Sequence, residues 1–330
     1  GTVSTGHVDE IEPFLARMLS IRADVAAGIE GLGPDQVKRQ TFSAVRDVLV
    51  ASARRRPLVV VIEDLHWADS LSVELTAILL AATRAAPLLP VVTLRPEPEH
   101  RWRRLISLAD EACGDDHHEI RLSELTHAET GGLLDALVGA DSLPPEVRQE
   151  VLDRAQGNPF FLEEVVRSFI DRGLLERADF RWSAEEDHGS VTVPASVQAV
   201  ILSRVDRLSE EHRRVLQAAS VLGRTFDRRV LVELVADPAG LDEALWELDR
   251  RQLLSREGSP EREIYSFKHV LTQETVYRGL VRRYRASLHQ GAAGAIERLF
   301  ADAPEGHYEE LAYHYERGSS PRKAVEYLLL

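Results

Sequence analysis

The residues best equipped for chemistry are two adjacent carboxylates, Glu63 and Asp64, which follow the apolar run Val59-Val60-Val61-Ile62 and precede Leu65-His66-Trp67-Ala68-Asp69. In open α/β sheets ligands bind beyond the carboxyl ends of the strands, and paired carboxylates placed there suit a Mg²⁺ ion held through water. Both are therefore candidate metal and catalytic residues. Four apolar residues before an acidic pair also arise by chance at capped strand ends, so the string that follows has to separate the two readings. Three further positions carry candidate residues. Arg95, in Thr93-Leu94-Arg95-Pro96-Glu97, ends the next apolar run; Pro159 lies in Gly157-Asn158-Pro159-Phe160-Phe161-Leu162-Glu163-Glu164; His269 lies in Phe267-Lys268-His269-Val270. Each has a plain structural reading: a surface cation, a proline in the first turn of a helix after a glycine stop, and a cap or core histidine.

The string Glu63-Asp64-Leu65-His66-Trp67-Ala68-Asp69 resembles the Walker B region of STAND-class ATPases, the AAA-like modules found beside class III adenylate/guanylate cyclase domains and in large LuxR-type regulators. The resemblance extends over most of the chain. It implies that Glu63 helps hold Mg²⁺ and Asp64 helps orient the attacking water. It implies a sensor role toward the γ-phosphate for Arg95, packing near the adenine for Pro159, and contact of His269 with the β-phosphate of bound ADP. ATP/ADP and Mg²⁺ are the cofactors it implies, in an intact parent protein.

The other half of such a site is missing from the sequence. A phosphate-binding loop needs G-x-x-x-x-G-K-[ST], because glycine amides wrap the phosphates while the lysine neutralises them. The lysines here are Lys38, Lys268 and Lys323, and none follows a glycine. Phosphoryl transfer rests on positioning and charge stabilisation. The expectation is therefore a piece of a bacterial signalling ATPase that is inactive by itself, with its phosphate loop upstream of Gly1.

Other constellations are weaker. Cys113-Gly114-Asp115-Asp116-His117-His118 gathers metal-ligand types, yet neighbours on an extended segment point to opposite sides. Arg278, Arg282, Arg283 and Arg285 give one basic helix face, read as solvated or intramolecular. The motifs G-x-S-x-G, H-E-x-x-H and C-x-x-C are absent from the sequence.

Composition bounds these readings. The 330 residues carry 40 basic and 54 acidic side chains, a net charge of −14, which is the wrong sign for broad attraction to a phosphate backbone. The apolar runs are shorter than a membrane span and the single cysteine cannot form an internal disulfide, so a cytoplasmic location is expected.

The elements that must position these residues follow from periodicity. Helices are expected over 11–53, broken at Gly31-Leu32-Gly33-Pro34. The unalternated run 58–62 predicts a strand buried on both faces of a parallel sheet, 70–85 a helix, and 89–94 and 119–122 further strands. Thr126 and Glu129 have capping-box spacing before a helical stretch, and 179–193 reads as a linker. Helices at 194–208, 209–222, 226–235 and 241–252, then strands at 253–256 and 264–268, describe a winged helix. The remainder is helical and resembles the start of TPR-type repeats.

The fold expected is an α/β P-loop NTPase core, partial and with a parallel sheet, followed by a helical lid, a winged helix and the start of TPR-like α-helical repeats. The boundaries expected are 1–125 for the nucleotide-binding part, 126–190 for the lid and linker, 191–275 for the winged helix and 276–330 for the repeats. The function expected is an ATP/ADP-binding regulatory switch whose partners are nucleotide, an output domain in the same parent chain, and a protein or small ligand on the C-terminal repeats. A non-catalytic interaction scaffold is the alternative, followed by a DNA-binding winged-helix regulator, which the charge disfavours.

Overall fold

The computed structural model describes residues 5–18, 29, 31–95, 102–140, 142–176, 182, 193–235, 239–259 and 262–330. The chain divides into two units, Gly1–Arg121 and Leu122–Leu330. Pro96 and Glu97, most of the expected linker and the boundary expected at 190/191 lie outside the described residues.

In the first unit, helices α1 (Thr5–Met18) and α2 (Pro34–Arg55) lead into strand β1 (Leu58–Ile62). Pro34 fills the first helical position of α2, where its missing N–H costs nothing, and Arg54 and Arg55 sit in the last turn beside the unpaired carbonyls. Helix α3 (Ser70–Ala82) is capped by Asp69, whose side chain accepts from the Ser72 amide at 2.7 Å. Strand β2 (Leu88–Val92) pairs with β1 in parallel register, Leu58 opposite Leu88 through Ile62 opposite Val92, and α4 (Trp102–Cys113) follows.

Here the structure corrects the expected fold class. Among the described residues the protein is mainly helical, and the parallel sheet consists of β1 and β2 alone. Among the described residues no extended P-loop-type sheet forms. The run 58–62 is covered on one face only. Leu58, Val60 and Leu88 pack with Ala53 of α2 and Ala82 of α3, while Val59, Val61, Leu89 and Val91 are exposed. Residues 119–122 are not a strand, and Ile120 and Leu122 are almost fully exposed. Two features account for this. An unalternated β-branched run has the same composition whether one face is covered or two, and Pro90 inside β2 withdraws a ladder donor, which suits an edge strand rather than a central one.

In the second unit, α5 (His127–Val138), α6 (Pro145–Ala155) and α7 (Pro159–Asp171) close around Leu134, Val151, Leu152, Phe161, Leu162, Val165 and Phe169. The capping box forms as its spacing predicts. The Thr126 amide donates to Glu129 Oε2 at 2.8 Å, and the Glu129 amide donates to Thr126 Oγ1 at 3.3 Å. Helices α8 (Val197–Asp206) and α9 (Glu210–Leu222), strand β3 (Thr225–Asp227), and helices α10 (Arg228–Leu234) and α11 (Leu241–Arg250) precede the hairpin β4 (Leu254–Ser259) and β5 (Arg262–Phe267). The antiparallel sheet runs β3-β5-β4. Strand β3 lies at the start of the segment expected to be wholly helical.

The core of this body joins Ile201, Leu216, Leu231, Leu241, Leu245, Leu254 and Phe267. Helices α12 (Val270–Gly279), α13 (Arg282–Leu299), α14 (Tyr308–Arg317) and α15 (Pro321–Leu328) complete the chain, with Ala293, Ile296, Leu311, Tyr315 and Ala324 buried together.

Candidate functional site

The five candidate residues fall into two groups, one in each unit. In the first unit the end of β1 forms a corner. Asp64 has φ 54° and ψ 38°, a left-handed conformation that costs a non-glycine residue about 1–2 kcal/mol and that aspartate tolerates better than most. Neighbouring backbone holds it there. The Asp64 amide donates to the Thr93 hydroxyl at 3.0 Å, the Leu65 amide to the Thr93 carbonyl at 2.9 Å, and the Thr93 amide to the Ile62 carbonyl at 3.0 Å. Thr93 at the end of β2 therefore fixes the turn that presents both carboxylates, with Glu63 exposed and Asp64 half-exposed.

The residues after the turn surround it. His66 and Trp67 pack with tilted rings, 4.7 Å between centroids, and the Arg95 guanidinium lies 5.9 Å from the centroid of the exposed Trp67 ring, within cation–π range. Arg95 thus shares the corner with Asp64 through Trp67. The His66 side chain is only 2% exposed, with Nδ1 4.0 Å from Asp64 Oδ1, beyond hydrogen-bond reach. Both of its ring nitrogens are buried without a hydrogen-bond partner. Sequence reading singled out Glu63, Asp64 and Arg95 but gave no role to Thr93, His66 or Trp67.

The chemistry of this corner is hard-oxygen chemistry. Among the described residues no group of three or more His, Cys, Asp or Glu side chains converges on a metal position. Two carboxylates with free access fit a Mg²⁺ that keeps most of its waters or shares its coordination with phosphate, and do not fit an all-protein cage. The Cys113 segment is no metal cluster either. Cys113 ends α4, a 3-10 turn follows over Gly114–Asp116, and His117 Nδ1 pairs with Asp110 Oδ1 at 2.5 Å.

The second group stands where α7 meets the start of α12. Gly157 has φ 77°, and a Cβ there would lie 2.4 Å from the Leu125 carbonyl oxygen, so only glycine fits. Asn158 caps α7 by accepting from the amides of Phe160 and Phe161 at 3.0 and 3.3 Å, and Pro159 takes the first helical position. This geometry fully explains Pro159 as a helix-start residue. It also places Phe160 against His269, with ring centroids 4.3 Å apart. His269 occupies the N-cap position of α12 without forming a side-chain cap, and its Nε2 is buried without a partner. Burial pushes the imidazole below its ordinary value of 6.5, partly offset by Glu164. His269 is therefore neutral near pH 7, with one buried ring nitrogen that has no hydrogen-bond partner in the fold.

Beside this point lies an ionic cluster that sequence reading did not find. Arg204 of α8, 1% exposed, donates from Nη1 to Glu164 at 2.7 Å, from Nε to Asp171 at 2.8 Å and from Nη2 to the Arg251 carbonyl at 2.5 Å. Glu164 also accepts from Arg167 at 2.8 Å. A cavity of about 610 Å³ opens over the cluster, lined by Glu163, Arg167, Asp171, Arg250 and Arg251 with Val166 and Ile170. Nothing in the local sequence marks Arg204, because its partners stand 33 and 40 residues away.

Two of the four arginines after the hairpin have partners inside the fold, while Arg282 and Arg283 are exposed. Arg278 pairs with Glu274 at 3.1 Å, and Arg285 lies over the Tyr277 ring. Among the described residues no helix is long and apolar enough to cross a membrane.

Residues 126–182 match a family described as a domain of unknown function (DUF8739), which covers the α5–α7 region. An uncharacterized protein of Rhizobium meliloti (strain 1021), R02095, is 27% identical over 295 residues. That alignment takes in 88% of this chain but 27% of the relative, so the chain spans about a quarter of the length of the protein it resembles.

Proposed function

We propose that this chain is the regulatory part of a larger bacterial signalling protein whose state is set by ATP and ADP, and that Glu63 and Asp64 supply the acidic side of its Mg²⁺–nucleotide site. The observation that carries the reading is the corner at the end of β1: two accessible carboxylates on a left-handed turn that the Thr93 hydroxyl and carbonyl hold in place. Such a turn keeps acidic oxygens clear of their own backbone, where a hydrated cation can reach them. Mg²⁺ bound there would neutralise phosphate charge. Glu63 and Asp64 would hold it through water, and Asp64 would orient the attacking water. Arg95, steered by Trp67, would reach a phosphate oxygen.

The amide-and-lysine cradle for the phosphates does not come from this sequence, whose lysines all follow residues other than glycine. The same fact favours a second reading, a scaffold that binds partners without nucleotide. Equilibrium binding of Mg·ATP and Mg·ADP to the full-length parent protein separates the two. Asp64→Asn is expected to lower turnover by a hundredfold or more while the protein stays folded. Wild-type protein that binds neither nucleotide, or an Asp64→Asn variant with unchanged turnover, overturns the switch and leaves the scaffold.

A further inference from the structure

The C-terminal helices carry a buried contact of a different kind. His289 of α13 and His314 of α14 are each almost wholly inaccessible, and their Nδ1 atoms face each other at 2.9 Å. The Tyr277 hydroxyl of α12 lies 2.9 Å from the other nitrogen of His289, and the Tyr313 ring stands edge-on to His289 at 5.6 Å. Three helices thus meet at one imidazole. The contact is satisfied only while at least one ring is neutral, since one ring must donate and the other accept across the Nδ1 pair.

The charged side chains that act on the pair are cationic, and Arg317 is itself paired with Glu316 at 2.6 Å. Arg285 of α13 covers the Tyr277 ring at 4.9 Å, and Arg317 of α14 covers the Tyr313 ring at 3.9 Å. These two arginines, and the histidines themselves, are the charges that act on the pair, and among the described residues no carboxylate is one of them. Ionic groups on the neighbouring helices are engaged elsewhere. On α9, Arg213 binds the carbonyls of Asp206 and Leu208, Arg214 pairs with Glu210, and Glu211 and His212 belong to the first turn. On α10, Arg228 pairs with Asp242 and Glu263, Arg229 with Asp227, and Glu233 with Arg298. On α12, Glu274 pairs with Arg278. On α15, Lys323 pairs with Glu297, while Arg322 and Glu326 face solvent. At the start of α14, His307 pairs with Glu310.

We propose that His289 and His314 form an acid-released latch holding the helix pair 308–328 against α12 and α13, so that protons loosen this pair before the helix–sheet body beneath it. One added proton can be shared across the Nδ1 contact, but its charge lies buried in cationic surroundings. A second sets N–H against N–H. Once the helices part, both imidazoles take up protons at their ordinary value.

Burial holds His289 down to about 3, aided by His314 and the two arginines, and burial with Arg317 holds His314 down to about 4. The two titrate as a unit. The folded values lie below the ordinary 6.5, so the open state binds protons first. The latch is therefore intact above about pH 6.5 and weakens as pH falls toward 4. Each pH unit in that window raises the opening constant by up to about tenfold per histidine.

Hydrogen exchange of this chain at pH 7.5 and 5.5, corrected for intrinsic amide chemistry, tests the proposal. Protection of 308–328 is expected to fall at least tenfold more than that of 241–250. His314→Asn retains an acceptor for His289 but cannot titrate, and is expected to reduce the acid response about tenfold. Should that variant not fold, imidazole NMR of the wild type decides, with both rings expected to remain neutral at pH 5.5 wherever 308–328 is protected. Equal protection at the two pH values, an unaltered acid response in His314→Asn, or both rings titrating near 6.5 in a protected segment overturns the latch.

Discussion

The acidic corner at Glu63–Asp64 and the ionic cluster around Arg204 both collect carboxylates, yet they are built in opposite ways. At the corner the carboxylates face solvent, and what is fixed is the backbone beneath them: Thr93 holds Asp64 in a left-handed turn. In the cluster the side chains themselves are fixed, because Arg204 spends its donors on Glu164, Asp171 and the Arg251 carbonyl. Buried charges paired with one another hold the α7, α8 and α11 segments in one arrangement. Accessible carboxylates on a strained turn are available to something else. The contrast teaches that a carboxylate's accessibility and the source of its constraint, rather than its presence, separate a candidate site from a structural anchor.

The largest break in that contrast comes from Arg204→Met. It leaves Glu164 and Asp171 facing an apolar side chain in a buried place and is expected to destabilise the second unit by about 3–5 kcal/mol in urea unfolding. Replacing Glu164 by Gln in the same background should recover part of the loss, since a neutral amide tolerates burial better than an orphaned carboxylate. Next in size is Gly157→Ala, which forces a methyl against the Leu125 carbonyl at a positive φ, for a loss of about 2 kcal/mol in the same assay. Asn158→Ala removes the cap of α7 and should cost about 1 kcal/mol. The smallest effect on stability is expected from Asp64→Gly, and it should have the opposite sign. Glycine adopts φ 54° freely, so the first unit should gain up to about 1 kcal/mol in thermal unfolding while losing its Mg²⁺ response. A residue whose removal stabilises the fold is held there for another purpose.

Parts of this architecture are legible in the sequence because their causes are local. The capping box at Thr126 and Glu129, the stop and restart at Gly157-Asn158-Pro159, the cap at Asp69 and the β4–β5 hairpin all depend on residues within a few positions of one another. What the sequence does not disclose depends on distant partners. The exposed face carrying Val59, Val61, Leu89 and Val91 shows that a strand's composition does not report how many of its faces are covered. The stretch 119–122 has the residue types of a strand, but among the described residues no strand pairs with it. Strand β3 exists because β5 offers it an edge, pairing Phe226 with Tyr265, and not because three residues prefer that state. For the candidate site, Glu63 and Asp64 were readable as an acidic pair after an apolar run. The left-handed turn of Asp64 and its Thr93 anchor depend on β2, and Arg204 depends on helices far along the chain.

The central claim is that the corner takes a hydrated divalent cation, and Mn²⁺ as a paramagnetic substitute for Mg²⁺ tests it most directly. Titrated into this chain in the presence of ADP, Mn²⁺ is expected to broaden the amide signals of residues 62–69 and 93–95 selectively. The broadening should vanish in a Glu63→Gln, Asp64→Asn double variant whose other signals are unchanged. Broadening that survives the double substitution, or none at the corner at concentrations that broaden other acidic surfaces, would contradict the account.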